Sequence, residues 1–376
     1  LHPHAARRGW RINLIEAQPP ASGQAQPSFD ARSTALSHGS YLLFEQLGIW
    51  AELAGQAEPI RQIHVSDRGH PGVTRLFAEK ERVPALGYVV ENAALGKVLL
   101  AALDPAVVRW QAPARVVGAE PARSGWLMQV EEHEQLHEQA TDLLIVADGG
   151  RSGLLEQLGI HRQVRPYGQT AIISNITSSQ GHDGVAYERF TPNGPLALLP
   201  MSAGRSALVW TQPDAQVDEV MTLSDAAFLE ALQDAFGFRM GALTRVGQRH
   251  AYPLSLIEAE EQVRTGLVVL GNAAHSLHPI AGQGFNLSLR DAMALADTLI
   301  DAPAHGAPGD LRLLEGYLDR QRRDQQQTIA FSDGLTRLFS NRRPVLAAGR
   351  NLGLLGMDIV APLKSVFARQ AMGLKG

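Results

Sequence analysis

Residues 267–292, LVVLGNAAHSLHPIAGQGFNLSLRDA, have the types and spacing to hold backbone N–H groups open to a flat, anionic ligand. The apolar run 267–270 has the length and composition of a fully buried strand, and it stops at Gly271. A loop of Gly, Pro and small residues follows. A helix is predicted from near Phe285, with Phe285, Leu289, Ala292, Met293, Ala296, Leu299 and Ile300 on one face. Strand, glycine loop and helix N-terminus together present N–H groups and a positive dipole end to an anion. Gly282 and Gly284, with Gln283 between them, let backbone lie close against a planar group because no Cβ intervenes. Pro279 stiffens the turn, and Asn286 puts an amide in the first turn of the helix.

Other positions could serve the same ligand. Residues 11–17, RINLIEA, read as a strand ending in an acid, Glu16. In dinucleotide folds an acid at that place binds ribose hydroxyls. Residues 142–158, DLLIVADGGRSGLLEQL, read as a buried strand, an Asp148–Gly149 turn, and a helix led in by Arg151, Ser152 and Leu154. Arg32, in DARSTALS, carries a guanidinium suited to bidentate phosphate contact. The G-x-G-x-x-G loop that should precede the strand at 11–17 occurs nowhere in the chain. With Leu1 as the first residue, the expectation is a chain lacking its first strand and most of its first helix, about 25–30 residues on the size of a βαβ unit.

The order Gly271, Ala273, Ala274, His275, Pro279, Gly282, Gly284, Asn286, Asp291, Ala292 resembles the second flavin-binding motif of the single-component (class A) flavoprotein monooxygenases. Asn272 departs from it, standing where most of the family has Asp. There the side chain accepts a hydrogen bond from the flavin's ribityl chain. An Asn carbonyl can accept one too, without the charge. GNAAHSLHPIAGQGFN, IHVSDRGHPGV and PLKSVFARQAMGL are similar to the ubiquinone-pathway hydroxylases of that family, and the resemblance covers nearly the whole chain.

The resemblance implies bound FAD, with NADPH or NADH and O2 as co-substrates. Asp148–Gly149 would lie beside the flavin pyrophosphate and Arg32 would reach its phosphates. Backbone at Gly282, Gln283, Gly284 and Phe285 would hold the isoalloxazine. Glu91, in GYVVENAALGKVLLAAL, aligns where a polar side chain touches the flavin, although Gln or Arg is commoner there. The implied reaction hydroxylates the ring of a polyprenylated methoxyphenol in ubiquinone biosynthesis through a flavin C4a-hydroperoxide, among other proteins of that pathway. The flavin carries the chemistry, and no catalytic side chain is identified. A general base for the phenol is expected. Alternatives are a sister hydroxylase of different regiochemistry, a flavin-dependent isoprenoid reductase, and a non-catalytic scaffold of the biosynthetic complex.

The expected architecture is mixed α/β. A Rossmann-like FAD-binding domain of the p-hydroxybenzoate hydroxylase type comes in three parts, residues 1–60, 91–160 and 261–330. An inserted antiparallel sheet for substrate spans 161–260, with further strands at 61–90, and a helical segment spans 331–376. Between 160 and 260 βαβ alternation gives way to β-type runs at 170–177, 185–191, 196–201 and 206–211, with a hairpin at residues 203–205. Phe190, Leu196, Leu198, Pro200 and Trp210 are its candidate substrate-lining residues, although most of them read more readily as sheet core.

Composition narrows the classes. Hydrophobic residues are 45% and charged residues 19%, as in a globular protein. The net charge of −4 argues against nucleic-acid binding. With no cysteine, disulfides, iron–sulfur clusters and thiol catalysis are excluded, and a cytoplasmic place is expected. No apolar run approaches the ~18–20 residues of a membrane span. His275 and His278 straddle a loop with only Asp291 near, so no metal site is expected, and His275 is read as ordering the loop. Residues 337–376 hold seven basic side chains (Arg337, Arg342, Arg343, Arg350, Lys364, Arg369, Lys375) and one acid, Asp358, around an apolar stretch. That pattern suits peripheral contact with an anionic inner-membrane surface, or a helix packed on the catalytic domain.

Overall fold

The computed structural model describes residues 2–18, 32–303, 305–339 and 361–374. Its nucleotide-type half is built on short parallel strands. Leu144–Val146 pairs with Leu267–Val269, and Ile12–Ile15 with Val108–Gln111. Leu267, Val268 and Val269 are wholly buried, which is why their sequence is apolar without alternation. Leu267 and Val269 pack with Trp126, Met128, Leu154 and Leu155 on one face. Val268 packs on the other with Leu295, Leu299, Leu314 and Tyr317. Those four come from the helices Gln283–Asp301 and Leu311–Phe339. The first face is closed by an antiparallel meander, Ala114–Pro121, Trp126–Glu132 and Gln135–Thr141.

The second half is a nine-stranded sheet. Its path runs His275–Ser276, His250–Ala259, Arg162–Ser178, Arg205–Pro213, Gly194–Pro200, Val185–Thr191, Gln62–Asp67, Val73–Phe77, with Leu243–Val246 beside Arg162–Ser178. All pairs are antiparallel except Val185–Thr191 with Gln62–Asp67. The helix Asp225–Phe236 covers one face. Ser224 caps its N-terminus, accepting from the Ala227 N–H, and Gly237 ends it at φ 84°. Its Phe228, Leu232 and Phe236 are fully buried against Ile172, Leu196, Leu198, Leu208 and Trp210. Each such side chain contributes about 1.5–3 kcal/mol.

This packing separates the core residues from the lining candidates. Leu196, Leu198 and Trp210 point into that core and line no substrate face, and Trp210 meets Phe228 edge-on at 5.5 Å. Side chains alternate along a strand, so the opposite face takes Pro195, Ala197, Val209 and Thr211. Phe190 does lie on the opposite face, packed with Val65 and Ile280.

Residues 62–67 and 73–77 extend the large sheet. Residues 86–90 do not. The strand there, Gly87–Glu91, pairs with Ser33–Ser37 and Ala57–Ile60 in a separate three-stranded sheet. Leu36, Phe44, Trp50, Val90 and Leu95 form the core beneath it. The helix Ala361–Ala371 is bound to the body. Ala368 and Met372 are buried among Ile60, Leu76 and Leu86, and the Gly39 N–H donates to the Met372 carbonyl at 2.8 Å. Arg342, Arg343, Arg350 and the apolar stretch beside them lie outside the described residues. Among the described residues no helix is long and apolar enough to cross a membrane.

Candidate functional site

Two loops leave the C-terminal ends of adjacent parallel strands. Asp148–Gly149 follows Val146 and Gly271–Asn272 follows Val269, with the Leu270 N–H donating to the Val146 carbonyl at 2.9 Å. Glu16 ends the parallel strand Ile12–Ile15, whose Ile15 packs into the same core as Val146 and Val269. The crevice beyond such strand ends is where α/β sheets take ligands. The structure therefore brings Asp148–Gly149 and Gly271–Asn272 to one edge, with Glu16 at the end of a strand that packs on the same core.

The Asp148 carboxylate is used locally. It accepts from the Gly150 N–H at 2.8 Å, the Ser152 N–H at 3.0 Å and the Ser152 hydroxyl. Burial pushes its carboxyl up, but these bonds outweigh burial and hold it below the usual range. They fix a turn in which Gly149 and Gly150 both sit at φ 70°. Glu16 Oε1 accepts from the Gln18 N–H at 2.9 Å at the surface.

The glycine loop is set by Asn286. Its Oδ1 accepts from the Ser37 N–H at 2.8 Å and the Ser40 hydroxyl at 2.7 Å. Its Nδ2 donates to the Ala35 carbonyl at 2.9 Å and the Gly282 carbonyl at 2.6 Å. The side chain is fully committed to the protein, so only its backbone is left for a ligand. Gly282 sits at φ 61°, and a Cβ there would stand 3.0 Å from the Ala35 Cβ. Glycine is thus required by conformation and by space. Gln283 is buried, and its Nε2 donates to the Ala371 carbonyl at 3.3 Å. The Phe285 side chain packs into the core under the three-stranded sheet.

What faces outward is suited to FAD. The helix Gln283–Asp301 starts at Gly282 with no side-chain cap, so the first-turn N–H groups of Gly284 and Phe285 have no partner within the helix. At Gly284 a Cβ would meet nothing within 4 Å, so this backbone borders open space. Asn272 is exposed, and its amide makes no hydrogen bond among the described residues. A planar ring can lie against such backbone with an acceptor facing the N–H groups, and Asn272 is free to accept from a hydroxylated chain. Gly284→Ala separates holding the ligand from folding. The apoprotein should melt no lower, because Ala favours helix by up to about 1 kcal/mol over Gly. FAD affinity should fall at least about tenfold, as when a contact of about 1.4 kcal/mol is lost. Equal FAD affinity by flavin fluorescence would remove Gly284 from the site.

Glu91 and Arg32 are held elsewhere. Glu91 Oε1 pairs with the Arg205 guanidinium at 2.5 Å, tying the three-stranded sheet to the large one. The Arg32 guanidinium lies 5.0 Å from the centre of the Tyr252 ring, on a strand of the large sheet.

The loop also closes over the large sheet. Pro279, Ile280 and His278 line a small cleft, with room for about one water, together with Glu188, Pro195, Ala197, Val209 and Thr211. Burial lowers the His278 imidazole to about 4, so it is neutral. His275, three residues earlier, belongs to another network. Its Nε2 stands 2.7 Å from Asp291 Oδ2, both side chains are 1% exposed, and Gln325 Nε2 donates to the same oxygen at 3.0 Å. Glu188, Thr211 and His278 carry no motif; parity along the strands is the one signal for the first two.

The family profile described as FAD binding domain matches residues 6–332. The Ubiquinone hydroxylase UbiL of Rhodospirillum rubrum is 36% identical over 371 residues, 98% of this chain and 85% of that one. The 3-demethoxyubiquinol 3-hydroxylase of Escherichia coli is 31% identical, over 98% of this chain and 94% of that one. In structure, the p-nitrophenol 4-monooxygenase PnpA of Pseudomonas putida superposes with a TM-score of 0.77 at 16% identity, covering 98% of this chain and 94% of that one. With the family profile spanning most of its length and these relatives nearly all of it, this chain belongs to the FAD-binding family of monooxygenases that includes the ubiquinone hydroxylases.

Proposed function

We propose that this protein hydroxylates the aromatic ring of a polyprenylated methoxyphenol in ubiquinone biosynthesis. The observation that carries the reading is the cleft directly against the glycine loop, where Glu188, Thr211 and His278 meet Pro279–Ile280 and the apolar side chains of the large sheet. Bound FAD, reduced by NADPH or NADH, supplies the activation of O2. The chain's own residues hold, orient and exclude water.

The N–H groups of Gly284 and Phe285, at the positive end of the helix Gln283–Asp301, would face the electron-rich edge of the flavin ring. Asn272 would accept from the ribityl chain, and Glu16 from the ribose. Gly149 and Gly150 let backbone approach the pyrophosphate, with the turn fixed by Asp148. Arg32 would reach the phosphates from its place over Tyr252. Pro195, Ala197, Val209 and Ile280 supply the apolar part of the cleft's lining, which would disfavour water beside the reacting oxygen.

The lipid tail sets the place of work. Each buried CH2 contributes ~0.8 kcal/mol, so a prenylated ring resides in the bilayer. Peripheral membrane contact, or other proteins of the pathway, would deliver it. The test is stoichiometry in the FAD-loaded protein. A prenylated methoxyphenol should stimulate NAD(P)H oxidation in air, with hydroxylated product formed in step with it. Equal stimulation without O2, with product reduced at a prenyl double bond, would refute the hydroxylase and favour a reductase.

A further inference from the structure

We infer that Glu188 is the general base of this site: its carboxylate accepts the hydroxyl proton of a phenolic ring held between the large sheet and the Pro279–Ile280 turn, while Thr211 and His278 donate hydrogen bonds to the oxygen that results. The inference rests on the phenol reading above and adds a catalytic residue to it.

The placement follows from register. Val65 pairs with Glu188, Glu188 with Ala197, and Ala197 with Val209, so these four side chains form one row across the sheet. Glu188 is the only ionisable member of a row otherwise made of two valines and an alanine. Phe190 and Pro195 pair one row on, level with Thr211 two residues after Val209. Among the described residues the Glu188 side chain forms no hydrogen bond and no ion pair. An unpartnered carboxylate among apolar side chains is costly unless it has a use.

Two donors face it across the cleft. His278 Nδ1 accepts from the Ile280 N–H at 3.2 Å, which assigns the ring proton to Nε2. Nε2 is buried and has no partner among the described residues. Thr211 is wholly buried, and its hydroxyl likewise has none. The lining of the cleft therefore combines one proton acceptor and two neutral donors with apolar side chains. The donors match an oxygen that gains negative charge, and the acceptor matches the proton that leaves it.

The neighbouring titratable groups do not neutralise Glu188. Asp67 lies on the same face of the adjoining strand, two residues past Val65, and is buried. Arg189 projects to the opposite face, donating to the Ala235 carbonyl at 3.0 Å and the Ser66 hydroxyl at 3.3 Å. From the loop side, Tyr167 stands edge-on to His278 at 5.3 Å and donates to Asp333 at 3.1 Å. Burial alone pushes the Glu188 carboxyl up to about 7. A base is most effective when its pKa lies near the working pH.

The step is a proton transfer. The phenol O–H bond breaks, an O–H bond forms on Glu188, and the negative charge passes to the ring oxygen. No electrons are exchanged. The proton returns to water when product leaves.

Burial of this acid also has a stability signature. Its folded value, about 7, lies above the ordinary 4.5, so the folded state holds the proton across that window. The stability is fully present below about pH 4.5 and is lost as pH rises through about 7.

The test compares wild type with Glu188→Gln and Glu188→Asp in the FAD-loaded protein, from about pH 5 to about pH 9. Wild-type kcat/KM for the prenylated methoxyphenol should rise through about pH 7. In Glu188→Gln it should be about 10²-fold lower at neutral pH, lose that limb, and recover as the phenol ionises unaided. Glu188→Asp should restore part of the rate and the limb. As a direct reading, 4-nitrophenol should bind wild type as its coloured anion and Glu188→Gln as the neutral form, while 4-nitroanisole, which has no proton to give, should bind both alike. Glu188→Gln should also lose less thermal stability than wild type between about pH 5 and about pH 8, which shows that it folds. A Glu188→Gln protein with the wild-type limb, or with 4-nitrophenol ionised as in wild type, would overturn the role of Glu188. Wild type that binds neither probe and hydroxylates no phenol would overturn the substrate reading itself.

Discussion

Asp291→Ala is expected to destabilise the protein by about 3 kcal/mol, the upper end of the range for leaving a buried hydrogen-bond partner unsatisfied. Asp291 Oδ2 is 2.7 Å from His275 Nε2 and accepts from Gln325 Nε2 at 3.0 Å. His275 Nδ1 has no partner among the described residues, so loss of Asp291 leaves both nitrogens of a 1%-exposed ring unsatisfied. Gln325 keeps its bonds to Gln262 at 3.2 and 3.1 Å and is less affected. The effect should reach the cofactor, because the pair ties the strand His275–Ser276, just after Gly271–Ala273, to the helix Gln283–Asp301 and through Gln325 to Leu311–Phe339. Asp291→Asn keeps the shape and an acceptor and should lose much less. Urea midpoints and bound flavin measure both. A loss under about 1 kcal/mol for Asp291→Ala would mean that the pair is not what fixes the loop.

Asn286→Ala should act as strongly on the glycine loop. It removes four hydrogen bonds at once and strands the Ser37 N–H and the Ala35 carbonyl, each worth about 1–3 kcal/mol when left unsatisfied in a buried place. A loss of about 3 kcal/mol is expected, with flavin affinity falling further than stability alone explains, since Gly282 loses its anchor. Asn286→Asp keeps the Oδ1 acceptor but not the Nδ2 donors and should fall between. Full flavin binding by a folded Asn286→Ala would show that the loop holds its shape without that side chain.

Much of this architecture is legible in the sequence for a physical reason. A wholly buried strand reads as an unbroken apolar run, as at Leu267–Val269, and a positive-φ position reads as Gly, as at Gly282. The long strands of the large sheet are legible too, because turn residues bracket them. Three features are not. The meander at residues 114–141 turns at His133 and Glu134 with φ 50° and 62°, where the usual Asn-Gly signal is missing. Residues 86–90 have the composition of any half-buried strand, and composition does not name the partner sheet. The lining of the substrate face depends on strand parity. Size alone leaves Leu196, Leu198 and Trp210 open to either face; they face the helix Asp225–Phe236, and the smaller Ala197, Val209 and Thr211 face the cleft. Glu188 escapes notice for the same reason: a lone Glu in a strand reads as solvated until its row is known. Asn286 and Asp291 stand in the motif, but their bonds to Ser37, Ala35 and His275 need the fold.

The origin of one oxygen atom decides between ring hydroxylation and the reductase and scaffold readings. The FAD-loaded protein, given NADPH and a polyprenylated methoxyphenol under isotopically labelled O2, should yield a ring-hydroxylated product carrying one labelled oxygen, and none when the label is placed in water instead. Unlabelled product under labelled O2 would contradict the hydroxylase assignment.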